Sequence, residues 1–340
     1  MSGQIVVLDA NKMLEKIHDF PNQLEISWKT NWIKKLPIDT KKINHVIIAG
    51  MGGSGIAGKL GRELFLGSKT PIDAWSDYGC PGWVDENTLF IAVSYSGETE
   101  ETLDATKAAI EKKAQIVAIT KGGKLEELSL TAKFPIVKIE YDSSPREALG
   151  WLYGSLLTVL VKSKAVDLTE ERYFKAHKEL KNAVETRSFP EKAQQLAMSM
   201  ANKVPVIISV SPLTAVANRW VTQINENAKE FALQATLPEM CHNTIVGLEY
   251  TIPEKLQFLY LESTSAFSRN ILRGKIIHQI IEKREIPVIP MTMRNESPLA
   301  EQWLFIYFGD LLSYYLAGVN GADPSPIESI NFLKEELKKA

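Results

Sequence analysis

The 340-residue sequence predicts an α/β protein made of two tandem, doubly wound parallel sheets with flanking helices. Three observations lead there. Short, continuously apolar runs alternate with longer segments whose apolar residues recur at helical spacing, and strands apolar at every position are those covered on both faces. The alternation pauses after residue 150 and restarts at 204. An order also repeats: LFIAVSYSGETEETLDATKAAIEKKAQIVAIT and QFLYLESTSAFSRNILRGKIIHQIIEKREIPVIPMT both read as strand, Ser/Thr-rich turn, amphipathic helix, strand.

Taken in order, residues 10–35 carry Met13, Leu14, Ile17, Leu24, Ile26, Trp28, Trp32 and Ile33 at helical spacing, interrupted by Pro21, and read as leading helices. Strands are expected at His45–Ala49, Pro71–Trp75, Leu89–Val93, Gln115–Ile119 and Phe134–Ile139. Between them, helices are expected at Ile56–Leu66, Glu98–Lys113 and near Leu125–Leu130. A long apolar helix is expected from Arg146 through Leu160, then a charged one over Glu170–Arg187 that Phe189 and Pro190 close. The second half repeats the scheme. It reads as strand Val204–Val210, helix Ala215–Lys229, strand Leu256–Leu261, helix Arg269–Lys283 and strand Pro287–Met291. Helices Glu301–Leu316 and Ile327–Lys339 complete it. The expected division is a first domain over 1–160 and a second over 161–340.

Composition narrows the function classes. Apolar and charged fractions of 45% and 24% are those of a water-soluble globular chain. A formal net charge of −2 offers no long-range attraction to nucleic acid or anionic lipid. MSGQIVVLDANK lacks the basic-then-apolar order of a signal peptide, and the apolar run at Leu156–Val161 is too short to span a bilayer. Cys80 and Cys241 are far apart and form no C-x-x-C unit, so they read as reduced thiols of a cytoplasmic protein.

Two turns carry chemistry. In GMGGSGIAG, at the first strand-to-helix junction, Gly50, Gly52 and Gly55 let the backbone approach a ligand while the helix start offers N–H groups to an anion. The same spacing suits a bare tight turn, or a dinucleotide site with Asp73 or Asp77 as the ribose acceptor. The second turn, SYSGETEET, decides between them. Ser94, Ser96, Thr99 and Thr102 surround Gly97 at the end of the third strand, where ligands of parallel sheets collect. Helix capping needs one hydroxyl, and a dinucleotide needs a long groove; several hydroxyls in one turn suit a single phosphate.

GMGGSGIAG followed at this distance by SYSGETEET resembles the sugar isomerase (SIS) family of phosphosugar-binding domains. More narrowly, the chain resembles the bifunctional phosphoglucose/phosphomannose isomerases, with two such domains in tandem. SSPREALG (143–150), INENAKE (224–230), LPEMCHNTIVG (237–247) and DPSPIESINFLK (323–334) extend the likeness over nearly the whole chain. The resemblance implies that Ser54, Ser94, Ser96 and Thr99 bind the phosphate of a phosphorylated hexose, with Gly53 also against the substrate. It implies Glu226 as the base that moves a proton between carbons two and one. It implies His242 and Lys334 as the residues that open the ring, and Arg146 as the cation beside the enediolate. It further implies a homodimer in which His242 serves the neighbouring subunit, with neither a metal nor a cofactor. Where the family has a threonine linked to accepting the mannose epimer, this chain has Ser325. The turn ESTSAFS has no glycine, so one phosphate site is expected, in the first half.

The residue types suit these roles: one carboxylate serving both carbons, a fixed cation for the oxyanion, and a histidine titrating near neutrality. Each also has an ordinary reading. Glu226 and Lys334 read as solvated helix charges, His242 as a loop or interface residue, and Arg146 as a partner of Glu147 or Asp142. Two other functions fit parts of the sequence, a non-catalytic phosphosugar-binding regulator and an NAD-dependent oxidoreductase. The first 40 residues are too poor in arginine for a helix-turn-helix, and only the opening glycine spacing favours the second.

Overall fold

The computed structural model describes residues 5–30, 37–250, 252–293 and 295–339; Trp32 and Ile33 lie outside them. Among the described residues two parallel sheets form. The first contains β1 (His45–Ala49), β2 (Ile72–Trp75), β3 (Thr88–Val93), β4 (Gln115–Thr120) and β5 (Ile136–Lys138), in the spatial order β2-β1-β3-β4-β5. The second contains β6 (Val204–Val210), β7 (Leu233–Leu237), β8 (Leu256–Glu262) and β9 (Val288–Thr292), in the order β7-β6-β8-β9. Each sheet winds outward both ways from its first strand, so the two halves share one topology.

The helices are α1 (Met13–His18), α2 (Phe20–Lys29), α3 (Gly52–Leu64), α4 (Glu100–Glu111), α5 (Gly123–Ala132), α6 (Leu149–Lys162) and α7 (Glu170–Glu185). They continue with α8 (Ser188–Ser199), α9 (Thr214–Gln223), the single turn α10 (Thr244–Gly247), α11 (Ser268–Glu282), α12 (Pro298–Val319) and α13 (Glu328–Leu337). Strand alternation sorts side chains between layers. Val46, Ile48, Leu89, Ile91 and Val93 face a central helical layer, while Ile47, Ala49, Phe90 and Ala92 pack under α4 and α5. In the second sheet Ile207, Leu259 and Leu261 face the same central layer, and Val206, Ile208, Phe258 and Tyr260 pack under α11. One continuous core therefore joins both sheets through α3, α6, α9 and α12. α12 is apolar on all sides because it is buried on all sides, yet no helix among the described residues is long and apolar enough to cross a membrane.

Three elements differ from the expectation. Pro190 does not close a helix; it sits in the first turn of α8, where its missing N–H is one that the helix leaves unpaired anyway. β7 was not expected, because an edge strand needs no continuous apolar run: only Ala235 and Leu237 are buried. The helix expected over Ala215–Lys229 is α9 followed by a wider π-helical turn, Ile224–Ala228.

Candidate active site

The first two strand-to-helix turns lie against each other. β1 ends at Ala49, and α3 begins at Gly52 with Met51 extended before it. Ser54, in the first turn of α3, is 5% exposed and its hydroxyl accepts a hydrogen bond from the Tyr95 amide at 3.0 Å. In the second turn Ser94 Oγ donates to Thr99 Oγ1 at 3.0 Å and accepts from the Gly97 amide at 3.1 Å. Ser96 Oγ accepts from the Glu98 amide at 3.2 Å. Thr99 holds the N-cap position of α4 without capping it through its side chain, so the cluster does more than end a helix. Gly53, Ser54, Ser94, Ser96 and Thr99 thus come together at two adjoining helix starts, an arrangement that suits an anion.

α3 also reaches the rest of the site. A Cβ on Gly53 would lie 2.9 Å from the Arg146 backbone nitrogen, so only glycine lets the helix start pack on this peptide. Arg146 lies in the short turn Pro145–Glu147 and is 4% exposed. Its Nε donates to Asn227 Oδ1 at 2.8 Å, and its Nη2 donates to the carbonyls of Pro324 and Ser325 at 2.9 and 3.0 Å. Nη1 stands 3.5 Å from Glu226 Oε2, on a carboxylate one-quarter exposed. The ordinary partners considered for Arg146 are engaged elsewhere: Glu147 pairs with Lys16 at 3.3 Å, and Asp142 with Lys121 at 2.7 Å.

Glu226 owes its position to the π-helical turn after α9, a local widening that recurs at functional sites. The turn ends at Lys229 in the left-handed region (φ 56°), whose ammonium donates to the carbonyls of Pro324 and Pro326 at 3.3 and 2.7 Å. Burial, and then the neighbouring Arg146 charge, push the Lys229 ammonium below its ordinary range. Behind them Arg219 grips Asp310 through both oxygens (2.7 and 3.0 Å) and donates to the Arg146 carbonyl at 2.9 Å. Burial pushes the Asp310 carboxyl up, against the pull of Arg219. Arg146 and Ser325 line a polar cavity of about 280 Å³ with Lys16, Ser143, Ser144 and Glu147. The hydroxyls of Ser144 and Ser325 are buried there without a hydrogen-bond partner among the described residues.

Two expected site residues make no side-chain bond to the rest of the site among the described residues. His242 closes the short turn Glu239–His242 after β7, is exposed, and makes no hydrogen bond or ion pair among the described residues. Lys334 lies on α13, exposed along its whole length. Lys338, one turn further on, lies near enough to Glu98 to help hold that carboxyl below its usual range; the Lys124 amide bond to Glu98 is the larger cause. Among the described residues no group of three or more His, Cys, Asp or Glu is placed to hold a metal ion. Burial pushes both thiols, Cys80 and Cys241, up. Sequence reasoning missed Asn227, Lys229, Arg219 and Asp310. The first two sit in INENAKE beside the expected base, whereas nothing local marks Arg219 and Asp310.

Comparison with known proteins places this geometry in a family. A model for the SIS domain matches residues 41–129, and one for the bacterial phospho-glucose isomerase C-terminal SIS domain matches residues 189–337. The chain is 35% identical over 334 residues to the bifunctional phosphoglucose/phosphomannose isomerase of Caldicellulosiruptor bescii, covering 96% of this chain and 98% of that protein. To the protein of the same name from Thermoplasma volcanium it is 36% identical over 298 residues, covering 87% and 92%. The C-terminal domain of glucosamine-fructose-6-phosphate aminotransferase from Francisella tularensis shares the fold: TM-score 0.72 at 15% identity, covering 95% of this chain and 100% of that one. With relatives matched almost end to end at this identity, the chain belongs to the bifunctional phosphoglucose/phosphomannose isomerase family.

Proposed function

We propose that this protein interconverts glucose 6-phosphate with fructose 6-phosphate, and mannose 6-phosphate with fructose 6-phosphate, by ring opening and proton transfer through an enediol. The observation that carries the reading is the Glu226 carboxylate 3.5 Å from a buried Arg146, whose own peptide packs on the glycine turn of the first half. The first half, 1–160, supplies the phosphate grip through Gly53, Ser54, Ser94, Ser96 and Thr99, together with Arg146. The second, 161–340, supplies the base and the ring-opening groups.

The chemistry follows from the groups. In the open aldose, Glu226 takes the proton from carbon two; the electron pair moves onto the carbonyl oxygen, and the Arg146 guanidinium stabilises the charge that develops there. A proton passes from the carbon-two hydroxyl to the carbon-one oxygen, and Glu226 returns its own proton to carbon one, giving the ketose. Two protons change places, one between the carbons and one between their oxygens, and the sugar's electron count is unchanged, so the step calls for no redox cofactor. Abstraction at carbon two erases the difference between the glucose and mannose epimers, and the acceptance of both is assigned to Ser325, whose carbonyl accepts from Arg146. His242 and Lys334 exchange protons with the ring oxygen and the anomeric hydroxyl before this step. His242 does so in the second subunit of a homodimer. Its exposure supports this, as do the apolar Val246, Tyr250 and Ile252 exposed just beyond it. The enzyme acts in the cytoplasm.

A coupled assay on both aldose phosphates, without added metal or nicotinamide in the isomerase step, tests the reading. Turnover of neither sugar overturns it. Glu226→Gln is expected to lower kcat on the order of 10²- to 10⁴-fold while KM for fructose 6-phosphate stays nearly unchanged. A variant with wild-type kcat would remove Glu226 as the base.

A further inference from the structure

Two arginines lie buried within a few ångströms of one another in the layer between the sheets, and they are treated differently. Arg219, 2% exposed, is met by both oxygens of Asp310, so its charge is neutralised on the spot. Arg146, 4% exposed, is met by the Asn227 amide oxygen and two backbone carbonyls, all neutral; among the described residues its one acidic partner is Glu226, at a looser 3.5 Å, and the other charge beside it, Lys229, is of like sign. A buried cation surrounded by neutral acceptors is costly to keep, and its field reaches whatever enters the site.

We infer that Asn227 is a positioning residue for the isomerisation: its amide holds the Arg146 guanidinium beside Glu226 while leaving the guanidinium's charge free for the enediolate. The inference rests on the isomerase reading of this site. Asn227 is wholly buried and adjacent to Glu226 in the π-helical turn, so one backbone segment sets base and cation together. The amide has one orientation that satisfies its surroundings. Oδ1 accepts from Arg146 Nε at 2.8 Å, and Nδ2 donates to Ser313 Oγ at 3.0 Å. Ser313 in turn donates to the Asp310 carbonyl at 2.9 Å, anchoring the chain of bonds to α12. An aspartate here would fit the same space and bind Arg146 more strongly. It would also do to Arg146 what Asp310 does to Arg219.

That contrast supplies the test. The wild type, Asn227→Asp and Asn227→Ala are compared for thermal unfolding and for steady-state kinetics on fructose 6-phosphate. The aspartate variant is expected to melt no lower than the wild type, yet to lose kcat on the order of tenfold to a hundredfold with KM within about threefold. The alanine variant is expected to lose both thermal stability and kcat, because Arg146 is untethered. A purely structural role predicts the opposite ranking, with the aspartate variant near wild type in both measurements and the alanine variant impaired in proportion to its lost stability; that result overturns the inference. An inactive wild type would instead overturn the isomerase reading beneath it.

Discussion

Gly97 shows how little freedom a single residue has in the phosphate turn. Its φ of +71° lies in the left-handed region, and a Cβ there would sit 1.8 Å from the Gly122 carbonyl oxygen. The strands end so close together that the second turn backs directly onto the third, with the Leu125 amide donating to the Gly97 carbonyl at 3.0 Å. Gly97→Ala would have to push the two turns apart and, with them, Ser94, Ser96 and Thr99. The expected cost is about 1–3 kcal/mol of stability, read as a lower melting temperature. KM for fructose 6-phosphate should rise about tenfold or more as the phosphate grip loosens, with kcat less affected; unchanged KM would count against this turn as the phosphate site. At this scale the sequence announced residue types well: the hydroxyls crowded around Gly97 are there, and the Tyr95 amide of the same turn donates to Ser54. It did not announce partners. Ser94 bonds to Thr99 and the Gly97 amide, because the turn closes on itself before α4 begins.

Among elements, the leading helices show a contact with a pH consequence. His177 on α7 reaches α2, with Nε2 3.0 Å from the Pro21 carbonyl. Burial pulls the imidazole below its ordinary value, outweighing the Pro21 carbonyl and then Glu25, which pull the other way. His18 on α1, 2.9 Å from the Tyr307 hydroxyl, is lowered by burial too. A histidine with a lowered folded pKa binds its proton more readily once unfolded. These two groups therefore contribute nothing to the pH dependence where both states are neutral, and they favour unfolding as pH falls below about 6.5. Melting temperature is expected to drop between about pH 7 and pH 5.5, and His177→Gln should reduce that slope; an unaltered slope would show that His177 charges freely in the fold. Element boundaries were mostly legible, since β1 and β6 run as their apolar residues indicate. The failures have physical causes. Pro190 looks like a helix breaker but is tolerated in a first turn, and β7, half-exposed at a sheet edge, carries Gln234 and Thr236 between its apolar residues. The π-helical turn had no signature at all, because its wider backbone is set by packing against α12 and by the bonds to Arg146.

For the whole molecule, the shared central core makes the two sheets one body and puts Arg146 from the first half against Glu226 from the second. His242 is proposed to serve the site of the partner subunit, and the proposed homodimer gives a direct test. Glu226→Gln and His242→Ala are each expected to be nearly inactive alone. Mixed and allowed to exchange subunits, they should recover up to about a quarter of wild-type activity, since half of the random dimers hold one site with both residues intact. No recovery would mean that the histidine acts within its own chain or not at all. Read alone, the chain was enough to establish the alternation of strands and helices, the two small-residue turns and the family, because these depend on neighbours a few residues apart or on motifs quoted in order. It took the folded molecule to give Arg146 the Asn227 amide and Arg219 the Asp310 carboxylate, 81 and 91 residues away along the chain. Such pairings follow from which buried faces meet when helices from both halves pack into one layer, and no local pattern records that.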